Sequence, residues 1–235
     1  MLFDTGYSDA FFQATRPFPE RLYRWLTPVE LPPEQRLLDQ LRQRGFEAHD
    51  VSHVFLSHLH ADHMAGLGDF PRARVTVMRA EVDAMGNDSR IGRLRRGYLR
   101  TLLPPDFMTR LSYVEDARSV TLAASMRPFT EGFDLLDDGT LIAVPLPGHT
   151  PGQIGLLLTM ADDLPVFLVA DACWSLDAVK LGRPPSRIAS MLFSNRREYL
   201  DTFEALRRLT AQHPSLHVLP SHCAASRQRL VDESS

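Results

Sequence analysis

The chain has 235 residues, of which 44% are hydrophobic and 23% charged, a balance typical of globular proteins with a full core. A net charge of −3 disfavours an extended nucleic-acid surface, and no apolar run approaches the roughly 20 residues that a membrane helix needs. Two cysteines are too few for a disulfide scaffold, and the start lacks a signal-peptide pattern, so a cytoplasmic protein is expected.

Helices and strands alternate in the first half of the chain, with no repeat or linker, which predicts an α/β protein with a single domain over residues 1–235. The stretch "EQRLLDQLRQRGF" places Leu37, Leu38 and Leu41 on one helical face, and Gly45 is positioned to end that helix. "VSHVFLSH" predicts a buried strand, "RVTVM" a second strand, and residues 81–109 an arginine-rich helical region. Its stretch "RIGRLRRGYLR" favours a solvated helix face, with contact to an anionic substrate as the alternative.

An aromatic segment precedes these elements and allows two interpretations. "FFQATRPFPERLYRWL" can shape an apolar substrate cleft, or it can pack the core or a dimer contact. Its aromatic residues are Phe11, Phe12, Phe18, Tyr23 and Trp25.

The second half predicts further strands and one long amphipathic helix. "TLIAVPLPGH" and "QIGLLLTM" are typical of paired strands, and "PVFLVAD" and "LHVLPSHC" of two more. The spacing in "RREYLDTFEALRRLTAQH" predicts a helix with a core-facing apolar stripe. That stripe consists of Tyr199, Leu200, Phe203, Leu206 and Leu209.

The stretch "SHLHADHMAG", residues 57–66, gathers three histidines and an aspartate within six positions. His58 and His60 are two apart at a strand end, so their side chains share a face, and Asp62 and His63 follow where the chain turns. Imidazole nitrogens and a carboxylate suit zinc, or else iron or manganese. This crowding predicts a metal site.

Three other predicted strand ends carry further potential ligands. His149 stands in "PGHTPG", Asp171 ends "PVFLVAD", and His222 follows the last strand. Taken alone, His149 is equally well explained as an ordinary loop histidine, and Asp171 as a helix cap. Together with the first cluster they make a set of seven.

The complete pattern resembles the metallo-beta-lactamase superfamily of metal-dependent hydrolases. The matching motifs are "HLHADH", the histidine of "PGHTPG", the aspartate after an apolar strand and the late histidine. The resemblance implies a four-layer αββα sandwich of two mixed sheets flanked by helices. It also implies two divalent ions, the first held by His58, His60 and His149. Asp62, His63 and His222 would hold the second, Asp171 would bridge the two, and Asp4 in "FDTG" would support the ligands from behind.

Within the superfamily the chain is most similar to the N-acyl homoserine lactone lactonases, through "SHLHADHMAG", "PGHTPGQIG" and "DACW". Two positions depart from that branch: Trp174 stands where a tyrosine is usual, and Gln153 where a histidine is common. Without that tyrosine the metals carry more of the oxyanion stabilisation, and Tyr98 and Tyr199 are the candidate substitutes. Cys173 and Cys223 are expected to be small fillers beside the ligands.

The resemblance implies hydrolysis of a small lactone or ester, in which a metal-bridging hydroxide attacks the carbonyl. Asp171 would hold the bridging position, and Asp62 would also carry a proton to the leaving group. Glyoxalase II-like thioester hydrolysis is the alternative; phosphodiester cleavage and a non-catalytic metal-binding module are less favoured. No nucleic-acid or membrane partner is expected, and a homodimer stays open.

Overall fold

The chain has two compact units, and each unit contains one β-sheet. The computed structural model describes residues 1–160, 164–187 and 189–233. The first unit comprises Met1–Tyr113 and the second Val114–Ser235. We describe each unit by itself, and the expectation of a single domain stays a prediction.

The sheet of the first unit has four strands in the order β1-β2-β3-β4, and all three pairings are parallel. The strands are β1 (Leu2–Phe3), β2 (His53–Phe55), β3 (Arg74–Val77) and β4 (Leu111–Tyr113). The resemblance implied a mixed sheet here. The pairings are parallel because every connection contains a helix, and such crossovers return the chain in the same direction.

Seven short α-helices fill those connections. They are α1 (Asp9–Ala14), α2 (Arg21–Leu26), α3 (Leu37–Gln43), α4 (Ala61–Met64), α5 (Arg79–Asn87), α6 (Arg90–Arg95) and α7 (Phe107–Arg110). In α3 the three predicted leucines pack against the core, and Gly45, at φ +83°, ends the helix as predicted. The region 81–109 is helical only in pieces, because Ser89 caps a new helix and Gly97 has a φ of +82°.

The aromatic segment of the first unit separates into two groups. Phe11 is fully buried, and its ring contacts those of Tyr7, Phe12 and Tyr23 at centroid distances of 4.7, 5.6 and 6.0 Å. Phe18 and Trp25 are instead largely exposed. The interpretation that the segment packs the core therefore holds for Phe11 and its ring neighbours.

The sheet of the second unit has six strands in the order β10-β9-β8-β7-β6-β5. They are β5 (Arg118–Thr121), β6 (Glu131–Asp134), β7 (Leu141–Pro145), β8 (Ile154–Thr159), β9 (Pro165–Ala170) and β10 (His217–Pro220). Neighbours pair antiparallel except β9 and β10, which are parallel, so this sheet is mixed as predicted. The pairing of β7 with β8 and the strands β9 and β10 were predicted, whereas β5 and β6 were not.

The described residues of the second unit form three α-helices: α8 (Leu176–Lys180), α9 (Arg196–Gln212) and α10 (Ala224–Glu233). Asn195 caps α9 by accepting hydrogen bonds from the N–H groups of Arg197 and Glu198. Four residues of the predicted stripe are buried, and Leu200 is half-buried. In the described part of the chain, no helix has the length and hydropathy that a membrane span requires.

Candidate metal centre

The first group of predicted ligands follows β2. That strand ends at Phe55, earlier than the sequence predicted, and the chain continues to His60, which precedes α4 and forms an isolated bridge with Tyr98. The side chains of His58 and His60 are both buried, and their ring centroids lie 4.6 Å apart. The predicted convergence of these two imidazoles is therefore present without a continuous strand.

Helix α4 brings Asp62 and His63 to the same place. The ring of His63 is buried, with its centroid 4.0 Å from that of His58. Its Nε2 lies 3.5 Å from Oδ2 of Asp62, whose side chain keeps 21% of its surface exposed. The first unit thus gathers three imidazoles and one carboxylate.

Asp4 contacts this group from behind, as the resemblance implied. Its Oδ1 accepts the backbone N–H of Ser57 at 2.7 Å, and its Oδ2 accepts the Ser57 hydroxyl at 2.8 Å. The same Oδ2 accepts Nδ1–H of His63 at 2.7 Å. Ser57, which the sequence analysis did not single out, therefore supports the candidate ligands together with Asp4.

These contacts fix the protons on two imidazoles. An ionised carboxylate only accepts, so Nδ1 of His63 carries a proton, and in the neutral imidazole Nε2 then has the lone pair. Ser57 gives its single hydroxyl proton to Asp4, so its Oγ accepts Nδ1–H of His58 at 2.9 Å. In their neutral form both histidines thus have the tautomer that leaves Nε2 able to bind a metal.

The loop that carries Asp4 is held against α4 by backbone contacts. Asp4 has a φ of +62°, a conformation that aspartate tolerates better than most residues. The N–H of Thr5 donates to the carbonyl of His63 at 2.7 Å. Gly66 comes so close that a Cβ atom there would lie 2.7 Å from the carbonyl oxygen of Thr5.

A second carboxylate, that of Glu81, supports the segment between His58 and His60. Glu81 is fully buried in α5, and its Oε2 accepts the backbone N–H of Leu59 at 3.1 Å and the hydroxyl of Tyr98 at 3.2 Å. Burial, together with the neighbouring Glu81 carboxylate, raises the pKa of Tyr98. The hydroxyl of Tyr98 is therefore engaged by Glu81 inside the protein. This argues against Tyr98 as the replacement for the tyrosine that is usual at position 174 in the lactonases.

In the second unit, His149 lies in the loop between β7 and β8 and is buried. Gly148, with a φ of +124°, lets this loop touch α9, since a Cβ atom there would lie 2.1 Å from the backbone nitrogen of Tyr199. The carbonyl oxygens of Gly148 and His149 accept the N–H groups of Asn195 and Ser194 at 3.1 and 2.9 Å. These contacts fix the backbone that carries the imidazole.

Asp171 and His222 follow two parallel neighbours, β9 and β10, so they emerge at the same edge of the sheet. The register of that pair shifts between Leu219 and Pro220, and Ser221 donates its N–H to the carbonyl of Ala170 at 3.1 Å. His222 is thereby brought to Asp171. The Asp171 side chain is 5% exposed, whereas that of His222 is 48% exposed.

The two oxygens of Asp171 face two different histidines. Oδ2 lies 3.4 Å from Nε2 of His149, and Oδ1 lies 3.3 Å from Nε2 of His222. Two ligand atoms bound to the same tetrahedral zinc, each at about 2.1 Å, lie about 3.4 Å apart. The distances and the donor types in the second unit thus fit metal ligation, as does the 3.5 Å separation of His63 and Asp62 in the first.

Of the two positions that depart from the lactonase pattern, Trp174 contacts Asp171 and Gln153 contacts Leu146. Trp174 donates its indole N–H to Oδ2 of Asp171 at 3.2 Å. Gln153 is buried, and its Nε2 donates to the carbonyl of Leu146 at 3.5 Å. Neither position presents a phenol or an imidazole, as the sequence already indicated.

Tyr199 and the two cysteines are buried neighbours in the second unit. The hydroxyl of Tyr199 makes no hydrogen bond to any residue that the structure describes, and burial raises the pKa of this phenol. Cys173 is fully buried, and its pKa is raised mainly by burial and then by the charge of Asp171. Cys223 is buried and accepts the hydroxyl of Ser226, and neither cysteine is in a disulfide.

Each unit therefore carries one set of potential ligands. Within the first unit the structure brings together His58, His60, Asp62 and His63, and within the second His149, Asp171 and His222. Ser57 and Glu81 were missed by the sequence reasoning, because serine and glutamate carry no spacing signal that distinguishes them from surface residues.

Comparison with known proteins gives both a sequence and a structural match. Residues 1–212 match the profile of the metallo-beta-lactamase superfamily. N-acyl homoserine lactonase AttM of Rhizobium radiobacter is 31% identical over 160 residues, which are 67% of this chain and 54% of that protein. An N-acyl homoserine lactonase of a Bacillus species is 26% identical over 175 residues, 74% of this chain and 60% of that protein. The chain spans little more than half the length of these relatives.

Two solved structures show the fold. An N-acyl homoserine lactone hydrolase with N-hexanoyl-L-homoserine bound at its catalytic metal centre has a TM-score of 0.68 at 16% identity, covering 97% of this chain and 78% of that one. AidC, a dizinc quorum-quenching lactonase, has a TM-score of 0.62 at 19% identity, covering 95% and 69%. These matches confirm the predicted α/β fold with two sheets and flanking helices. The chain belongs to the metallo-beta-lactamase superfamily.

Proposed function

We propose that the chain is a dinuclear metal-dependent hydrolase that cleaves a small lactone or ester. The observation that carries the proposal is the Asp171 carboxylate, which directs one oxygen towards His149 and the other towards His222. A carboxylate whose two oxygens face different histidines is suited to bind two cations at once. The proposed ligands are the seven residues His58, His60, Asp62, His63, His149, Asp171 and His222.

The orientation of the imidazoles supports this proposal. Asp4 and Ser57 hold the Nδ1 side of His63 and His58, so that in the neutral imidazoles Nε2 of each is the atom available to a cation. A buried histidine held by a carboxylate is typical of metal ligands and raises their basicity. Zinc suits this mixture of nitrogen and carboxylate oxygen best, and iron and manganese are the other candidates.

The bound ions would supply an activated water and polarise the substrate carbonyl. The protein's own contribution would be to fix the ligands and to move a proton. Asp62 is suited to carry that proton to the leaving group, because its side chain keeps 21% of its surface exposed beside His63. Asp171 is almost completely buried and would serve as the fixed bridge.

Lactones are the first substrate class to test, since the relatives matched in sequence are N-acyl homoserine lactonases. Trp174 supplies no phenol, Tyr98 is bonded to Glu81, and Tyr199 is buried, so oxyanion stabilisation would rest on the ions. Thioesters, phosphodiesters and a purely metal-binding role are the alternatives that the same experiment separates.

Elemental analysis and a substrate panel test the proposal. We expect close to two zinc ions per chain, and hydrolysis of lactones in preference to thioesters or bis(p-nitrophenyl) phosphate. D171A should lose both metal and activity, whereas D201N, on the exposed face of α9, should lose neither. Less than one metal per chain after zinc-supplemented expression, or full activity in D171A, would contradict the proposal.

A further inference from the structure

The indole of Trp174 touches the same carboxylate oxygen that faces His149. Its Nε1–H donates to Oδ2 of Asp171 at 3.2 Å, and Nε2 of His149 lies 3.4 Å from that oxygen. The other oxygen of Asp171 faces His222. The indole N–H therefore bonds to the same Asp171 oxygen that faces His149.

Aromatic neighbours hold the indole in this orientation. The ring of Phe193 meets the indole edge to face, with centroids 5.7 Å apart and planes inclined by 72°. Phe193 in turn stacks on the ring of Tyr199 at 4.0 Å, and Tyr199 is buried in α9. The ring of His149 also contacts both Trp174 and Phe193, at 6.4 and 5.4 Å. Because edge-to-face contacts fix the plane of a ring, the N–H direction is fixed with it.

An indole N–H can only donate a hydrogen bond, and an ionised carboxylate can only accept one. The bond therefore fixes Oδ2 of Asp171 on the side of the indole. It also opposes rotation of the carboxyl group, which would exchange the oxygens that face His149 and His222. The single N–H of Trp174 is thus already used within the protein.

We propose that Trp174 is a positioning residue that holds the Asp171 carboxylate for metal binding. This inference rests on the proposed role of Asp171 as a metal ligand. Trp174 then acts on the affinity of the protein for its ions, and it acts on hydrolysis only through Asp171.

The test uses the variant W25F as its parent, because Trp25 is 66% exposed in α2 and its loss leaves Trp174 as the single tryptophan. In this parent, Trp174 is replaced by phenylalanine, or by β-(3-benzothienyl)alanine, which keeps the bicyclic shape and exchanges N–H for sulfur. The dissociation constant for zinc is measured by competition with a chromophoric chelator. The fluorescence of Trp174 in the parent is followed during the same titration.

We expect both replacements to weaken zinc binding by about 10-fold, the lower end of what loss of a ligand's hydrogen-bonding partner causes. The melting temperature of the zinc-free protein should stay unchanged in the benzothienyl protein, and zinc should change the fluorescence of the parent. If W174F folds poorly, the isosteric replacement alone decides.

Three results would overturn the inference. Unchanged zinc affinity in the benzothienyl protein, with normal binding by the parent, removes the positioning role and leaves the proposed hydrolase intact. Slower hydrolysis at unchanged affinity assigns Trp174 to the substrate instead. A parent that binds no zinc overturns the inference and the proposed function together.

Discussion

The Asp4 carboxylate lies 2.7 Å from Nδ1 of His63, although the two residues are 59 positions apart in the sequence. The same carboxylate holds the backbone and hydroxyl of Ser57, which in turn contacts His58. A single acidic side chain near the start of the chain thus orients two of the proposed ligands.

Replacement of Asp4 by asparagine should weaken metal binding and leave the fold in place. Asparagine tolerates the φ of +62° at this position, so the backbone loop is expected to persist. The amide has lost the charge that supports the imidazole of His63, and we expect the dissociation constant for zinc to rise about 10- to 100-fold. Chelator competition measures this change. D9N, at an exposed carboxylate in α1, is the matched control, and equal affinities in all three proteins would refute the prediction.

Loss of Glu81 should destabilise the first unit. Glu81→Ala leaves the N–H of Leu59 and the hydroxyl of Tyr98 without this acceptor, so we expect a loss of about 3 kcal/mol or more in the free energy of unfolding. Y98F removes only one of the two donors and should cost about 1 kcal/mol. Urea denaturation at neutral pH measures both values. A Glu81→Ala protein as stable as Y98F would show that the contact with Leu59 contributes nothing.

Gly66 and Gly68 offer a matched pair for testing the close approach of the Asp4 loop to α4. Gly66→Ala places a Cβ atom 2.7 Å from the Thr5 carbonyl oxygen, a backbone atom that cannot turn aside. We expect a loss of about 1 to 3 kcal/mol, typical of overpacking, together with weaker zinc binding through the displaced His63. A Cβ at Gly68 meets nothing within 4 Å, so Gly68→Ala should be neutral. Equal stability of the two variants would argue against the close contact.

The ion pair between Glu20 and Arg90 should make a pH-dependent contribution to stability. Arg90 donates to both carboxylate oxygens of Glu20 at 2.7 Å, and these hydrogen bonds lower the pKa of Glu20 below its ordinary value of 4.5. A folded state with the lower pKa binds fewer protons, so the stabilisation is present above pH 4.5 and is lost as the pH falls towards the folded-state pKa.

Glu20→Gln should therefore be less stable than the parent at pH 7, by about 1 kcal/mol or less because the Arg90 side chain is 58% exposed. The difference should shrink as urea denaturation is repeated below pH 4.5. Glu34→Gln, at an exposed carboxylate, should show no such trend. A difference that is constant with pH would assign the effect to packing instead of charge.

The sequence predicted most of what depends on local pattern. The pairing of β7 with β8, the strand β9 and the buried face of α9 follow from hydrophobic periodicity, which the core enforces. His58, His60 and His63 converge as the spacing of the motif indicated, and His149, Asp171 and His222 meet because their strand ends share a sheet.

Features that depend on tertiary contacts were not predictable in this way. Glu81 has the appearance of an ordinary helical glutamate, and only its contact with Leu59, 22 residues earlier, reveals its role. The short strands β4, β5 and β6 have three or four residues each, too few for a clear period. The mixed character expected of the first sheet was wrong, because helices in every connection make that sheet parallel.

The unequal exposure of the neighbours of Asp171 has a kinetic consequence. The side chain of His149 is 4% exposed and that of His222 is 48% exposed, so solvent reaches the two ends of the carboxylate unequally. Of the two proposed ions, the one that shares His222 is then expected to exchange with the medium faster. Brief dialysis against a weak chelator should accordingly leave a protein with one ion, and zinc added afterwards should restore the second ion rapidly.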